Sequence, residues 1–109
     1  MIEPSVIVTV DFAGATGIKR RPALVISTAL YHQTRPDIIV SVLTSQVMSA
    51  TQPADYVLRD WEQAGLYRST AFRTYLNTVS ATAVLEIGRL SQYDWEGVQR
   101  CLRLALAIA

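Results

Sequence analysis

The densest run of chemically capable side chains in the 109-residue chain is Lys19-Arg20-Arg21. Lys19 is the sole lysine, and the other basic residues are scattered arginines. Arginine suits phosphate better than lysine does, because its planar fork grips two oxygens at once. A second polar cluster, Thr44-Ser45-Gln46, offers hydroxyls and an amide that donate and accept hydrogen bonds. With one histidine (His32), one cysteine (Cys101) and no clustered carboxylates, the sequence offers no obvious ligand set for zinc or for a two-metal site. The chemistry within reach is therefore recognition of an anion and stabilisation of developing negative charge.

The remaining totals bound the class. Half the residues are hydrophobic and 17% are charged, which is enough apolar surface for a core and too little charge for a disordered chain. The length predicts one domain over residues 1–109. So small a fold buries less of its surface than a larger one, and this apolar share points to surface shared with a partner, most simply in a homodimer. The net charge of +1 announces no bulk basic field, so any nucleic-acid contact must rest on a local cluster. A lone cysteine excludes an intrachain disulfide and fits a reducing cytosol. Met1-Ile2-Glu3-Pro4 lacks the features of a signal peptide, and no apolar run approaches a membrane span; the expected location is cytoplasmic.

The elements that must position these residues read as short strands followed by a helix. Val6 to Phe12 is rich in β-branched residues and ends in the small-residue loop Ala13 to Gly17. Pro22 opens a second strand, Ala23 to Ser27, as a first residue where proline is tolerated. Asp37 to Leu43 is nearly apolar on both faces and reads as a central strand. Thr44 to Pro53 is a polar connection, and Tyr56 to Leu58 a short edge. Asp60 to Gly65 reads as one helical turn, with Asp60 as cap and Gly65 as stop. Thr70 to Tyr75 and Leu76 to Ser80 are two further short strands. Ser91 caps a closing helix, with Asp94 in the capping-box position and Trp95, Val98, Leu102, Ala105 and Leu106 along one face. This pattern predicts a mainly β domain, a small antiparallel barrel with a C-terminal amphipathic helix.

Val10-Asp11-Phe12 followed by Lys19-Arg20-Arg21-Pro22-Ala23-Leu24-Val25-Ile26-Ser27 resembles the first signature of the PemK/MazF toxin family. Ile39 to Gln46 is similar to the family's third strand and the polar turn after it. Ala64-Gly65-Leu66 with Thr70 to Arg73 resembles its "GL…S" segment, and Ile87-Gly88-Arg89-Leu90-Ser91 its lead-in to the final helix. The likeness runs over nearly the whole chain, in order and with compatible spacing. It implies an SH3-like barrel, usually dimeric. It also implies a toxin of a type II toxin–antitoxin system, acting as a metal-independent, sequence-selective endoribonuclease on single-stranded RNA, with no cofactor and with a small cognate antitoxin as partner.

The resemblance also implies roles for particular residues. Arg21 stands at the family's catalytic arginine. Its guanidinium can stabilise the charged transition state, with proton donation as the alternative. Thr44 matches the active-site Ser/Thr, able to hold a phosphate oxygen or orient the attacking 2′-hydroxyl. Lys19, Arg20, Gln46 and Arg73 are candidate RNA contacts; the first three read equally as ordinary exposed side chains, and Arg73 equally as a barrel-edge arginine. His32 reads as a surface or turn-packed histidine rather than as a general base. Trp61 and Trp95 read as core anchors, and Cys101 as inert packing. The chain departs from the family in having Pro4-Ser5 where Gly-Asp is usual. Leu76-Asn77-Thr78 and Val84-Leu85 likewise replace stretches that carry arginines elsewhere. Those missing charges leave a catalytically silent antitoxin-binding homologue as one alternative, and the shared barrel leaves a gyrase-poisoning toxin as another.

Overall fold

The structure is a computed structural model that describes residues 2–108; Met1 and Ala109, the outermost residues of the N-terminal stretch and of the closing apolar tail, lie outside the described residues. Six strands form one antiparallel sheet: β1 (Val6–Gly14), β2 (Gly17–Val25), β3 (Asp37–Thr44), β4 (Tyr56–Val57), β5 (Ala71–Ser80) and β6 (Leu85–Arg89). Their spatial order is β4-β5-β3-β2-β1-β6, so the sheet curls as an open half-barrel with β4 and β6 at its edges. Two helices complete it, a short α1 (Ala29–Thr34) and the 14-residue α2 (Gln92–Ala105).

Alternation along the central strands builds two cores. Ile7, Leu24 and Leu43 point to the face that α2 covers and pack with Phe72, Val98 and Cys101. Val6, Val8, Val10, Ala23, Val25, Ile38 and Val40 point to the opposite face. Successive strand residues face opposite ways, so a strand covered on both sides must be apolar throughout. That is why Val6–Val8 and Ala23–Val25 read as unbroken apolar runs.

Four expectations need correction. The first hairpin turns in only two residues, Ala15 and Thr16, with Gly14 opposite Gly17 and Gly17 at φ 126°. The basic triplet thus lies on β2, ahead of the proline expected to open that strand, with Arg21 paired to Val10 and Arg20 to Asp11. Pro22 sits inside the strand because β3 pairs β2 only over Ala23–Val25, so proline falls just past the shared ladder. The stretch 71–80 is one strand. Arg73 and Thr74 form a bulge between the Val42–Tyr75 and Leu43–Phe72 pairs, with Thr74 at φ 62°. The apolar stripe of α2 is buried at Val98 and Cys101, but Ala105 and Leu106 are exposed.

Asp94 does more than the capping box requires. Ser91 Oγ does accept the Asp94 amide at 3.2 Å. The Asp94 carboxylate is fully buried and instead accepts from the Tyr56 hydroxyl (2.8 Å) and from the backbone amides of Arg59 (3.0 Å) and Asp60 (2.8 Å). It thereby ties α2 to the segment leading out of β4. Gly97 makes room for this contact, since a Cβ there would collide with the Tyr56 ring.

Candidate functional site

Beyond Ile7 and Leu24, the face of the sheet under α2 continues with Thr9 and Pro22, which pair with each other. There a cleft of about 770 Å³ opens, within the range of small-ligand sites. Thr9, Arg20, Arg21 and Pro22 come from β1 and β2, and Leu43 and Ser45 from the end of β3. Gly65, Leu66, Tyr67, Arg68 and Thr70 come from the turn before β5, and Ile87 from β6. The lining includes three arginines and no carboxylate, imidazole or thiol. Its floor is apolar at Pro22, Leu43, Leu66 and Ile87.

Arg21 is exposed, and its Nη2 donates to the Leu43 carbonyl at 3.3 Å. β3 has parted from β2 here, which lets a side chain from the alternate strand position swing round the edge into the cleft. No carboxylate pairs with Arg21 among the described residues. Arg20 differs: it makes a two-pronged pair with Asp11, Nε to Oδ1 at 3.2 Å and Nη2 to Oδ2 at 3.3 Å, and also reaches Thr9. Both partners are about half exposed (54% and 51%), so water screens the pair and an incoming anion can compete for the guanidinium.

Thr44 is half-buried at the end of β3, and its Oγ1 accepts the Gln46 amide at 3.1 Å, holding the turn that presents Ser45 to the cleft. The hydroxyl keeps its own proton free to donate. Of the residues singled out from sequence, Arg20 and Arg21 are brought together in the lining; Thr44, Lys19, Gln46 and Arg73 are not among the lining residues. Lys19 is exposed on β2 opposite Phe12, and Gln46 is exposed in the turn. Arg73 lies in the β5 bulge with Nε 3.5 Å from Asp55 Oδ2 and its guanidinium over the Tyr75 ring. The sequence did not single out Ser45 from its neighbour Thr44, and it gave no role to Tyr67 and Arg68. The signal for the last two was a polar, aromatic tail directly after a glycine stop.

His32 belongs elsewhere. Its two ring nitrogens are engaged by the Ser27 hydroxyl and the Ile2 carbonyl, and Ser27 Oγ also accepts the Ile39 amide. This ties α1 and the N-terminal segment to β3, a structural task. Cys101 is buried in the core, and burial pushes its thiol up, away from the reactive thiolate. Among the described residues no group of three His, Cys, Asp or Glu side chains is placed to hold a metal ion. No helix of the described residues is long and apolar enough to cross a membrane.

Two independent comparisons agree with this architecture. The family described as PemK-like, MazF-like toxin of type II toxin–antitoxin system matches residues 3–106. The chain therefore belongs to the PemK/MazF family of type II toxins. Among solved structures it is similar to an endoribonuclease in complex with its cognate antitoxin from a mycobacterial species, at 14% identity and a TM-score of 0.82, covering 100% of this chain and 98% of that one. It is also similar to MazF of a MazE–MazF complex from Deinococcus radiodurans, at 18% identity, TM-score 0.75 and coverage of 99% and 97%. Free MazF from the same organism gives 19% identity, TM-score 0.75 and coverage of 98% and 97%. At such identities these likenesses establish the shared fold. No curated protein matches the chain.

Proposed function

We propose that this toxin is an endoribonuclease that cuts single-stranded RNA in the Arg21 cleft, using the RNA's own 2′-hydroxyl as nucleophile. The 2′-oxygen bonds to phosphorus, the bond from phosphorus to the 5′-oxygen breaks, and the products end in a 2′,3′-cyclic phosphate and a 5′-hydroxyl. The leaving oxygen takes up one proton and the 2′-hydroxyl gives one up. The observation that carries the reading is an exposed guanidinium with no acidic partner, over an apolar-floored cleft lined by arginine and free of carboxylate.

Such a cleft repels nothing in a phosphodiester and offers two-pronged hydrogen bonding to its equatorial oxygens. Arg21 supplies charge stabilisation, and Thr44, with Ser45 beside it, supplies hydroxyl donors at the end of β3. Arg20 is released from Asp11 toward the RNA backbone. Lys19 and Gln46, exposed on either flank, extend the contact, while Arg73 has to leave Asp55 to take part. Catalysis here rests on positioning and preorganised charge.

Antitoxin is present in the solved complexes of related fold, and this chain is read as having a cognate antitoxin of its own. A homodimer is supported by the apolar side chains left open on the edge and tail, Leu85 (61% exposed), Leu104 (67%) and Ile108 (67%).

The test is to incubate purified protein with a long single-stranded RNA in EDTA and map the ends. Discrete cuts with 2′,3′-cyclic phosphate termini, lost by 10²- to 10³-fold in Arg21→Ala, are expected. Intact RNA overturns the nuclease reading; growth arrest without cutting then points to a gyrase-directed toxin, and no arrest to a silent antitoxin-binding homologue.

A further inference from the structure

Tyr67 is 98% exposed, the most open of the large apolar side chains among the described residues. A single exposed aromatic is ordinary. What sets this one apart is the backbone beneath it. Gly65 holds φ 89°, and a Cβ there would press on the Ile87 carbonyl; a Cβ at Gly88 would collide with the Ala64 carbonyl. The turn is thus seated backbone to backbone on β6. Leu66 packs against the core, its amide donating to the Trp61 carbonyl at 3.2 Å. On the other side, the buried Thr70 hydroxyl donates to the Arg68 carbonyl at 2.8 Å. Residues 67 and 68 are held at both ends, yet among the described residues no side-chain hydrogen bond or ion pair engages Tyr67 or Arg68.

A rigid main chain that carries two unengaged side chains over an arginine-lined cleft is organised for a ligand with both a flat face and a negative charge. We infer that Tyr67 is a stacking platform for a base of the bound single strand, with Arg68 neutralising an adjacent phosphate. This rests on the proposed RNA substrate and adds a way of holding it. Stacking is tolerant of base identity because every base has a π-face, so Tyr67 contributes affinity and register, and leaves sequence choice to the hydrogen-bonding groups near Ser45 and Gln46.

The experiment separates stacking from charge and binding from cutting. Two 2′-O-methyl strands of about twelve nucleotides, one bearing bases and one abasic throughout, cannot be cut through the 2′-oxygen. Their affinities for the full chain are read by fluorescence anisotropy at low salt. Tyr67→Ala is expected to weaken the base-bearing strand about tenfold or more and to leave the abasic strand unchanged, with Tyr67→Trp restoring the loss. Arg68→Ala is expected to weaken both strands equally and to flatten the salt dependence. An equal loss on both strands in Tyr67→Ala, or no loss on either, overturns the inference. So does a shift of the oligomeric state in Tyr67→Ala with affinities unchanged, which would assign the residue to a subunit contact. None of these readings depends on cutting, so failure of the nuclease reading shows separately in the EDTA assay.

Discussion

The junction at the start of α2 and the rim of the Arg21 cleft use similar polar residues to opposite ends. At the junction, one buried carboxylate gathers a phenol and two backbone amides, and the neighbouring Asp60 carboxylate takes Arg59 (3.0 Å) and the Ser91 hydroxyl (2.6 Å). At the rim, Arg21 holds only a backbone carbonyl, and Tyr67 and Arg68 hold nothing polar with their side chains. Closed hydrogen-bond networks rigidify a fold, and the donors left without a protein partner at the rim are the ones the proposed RNA would engage. Substitutions at the junction should therefore change stability and leave the chemistry alone, and substitutions at the rim should do the reverse.

The sharpest break is Asp94→Ala. It strips the acceptor from the Tyr56 hydroxyl and from the backbone amides of Arg59 and Asp60, a buried donor left unpaired costing about 1–3 kcal/mol. A loss of about 4 kcal/mol in urea unfolding is expected; a loss below about 1 kcal/mol would refute the hub. Arg21→Ala is the counterpart at the rim. Its drop in RNA cutting, about 10²-fold or more, should come with a melting temperature within a degree or two of the parent, because an exposed side chain with one long hydrogen bond carries little stability.

Gly97→Ala comes next. The added methyl meets the Tyr56 ring, and overpacking of this kind costs about 1–3 kcal/mol. Combining it with Tyr56→Ala should recover part of that loss, which a simple effect on helix propensity would not do.

The smallest effect is Tyr56→Phe, about 1 kcal/mol at neutral pH, and it carries a pH signature. Burial, with the Asp94 carboxylate beside it, pushes the Tyr56 phenol above its ordinary value of 10.0. The folded state then holds a proton that the unfolded chain releases, so this contribution is whole below pH 10 and declines as pH rises beyond it. Tyr56→Phe should show a shallower loss of stability above pH 10 than the parent. The opposite sign applies at Asp60, whose pKa is lowered by its hydrogen bonds to Arg59 and then Ser91. That contribution is present above the ordinary carboxylate range and fades in acid.

Much of the fold was legible along the chain. Ser91 as cap, the helix behind it and the central position of Asp37 to Leu43 follow from side-chain type and period, which act over a few residues. The site was half legible. Arg21 was marked by its neighbours Pro22 and Ala23, and Gly65 by its role as a stop. Ser45 was not separable from Thr44, because which of two adjacent hydroxyls meets a cleft depends on how β3 ends. Tyr67 and Arg68 looked like loop residues because nothing local says that β6 seats the turn beneath them.

By itself the sequence determined the family, the alternation of strands with a closing helix, and the one basic triplet, since each is written in neighbouring residues. The tertiary structure decided which arginines share a cleft, that Asp11 holds Arg20 while Arg21 stays free of carboxylate, and that Asp94 serves Tyr56 from 38 residues away. Those outcomes depend on strand register and on where β3 leaves β2, and register is set by packing across the whole sheet.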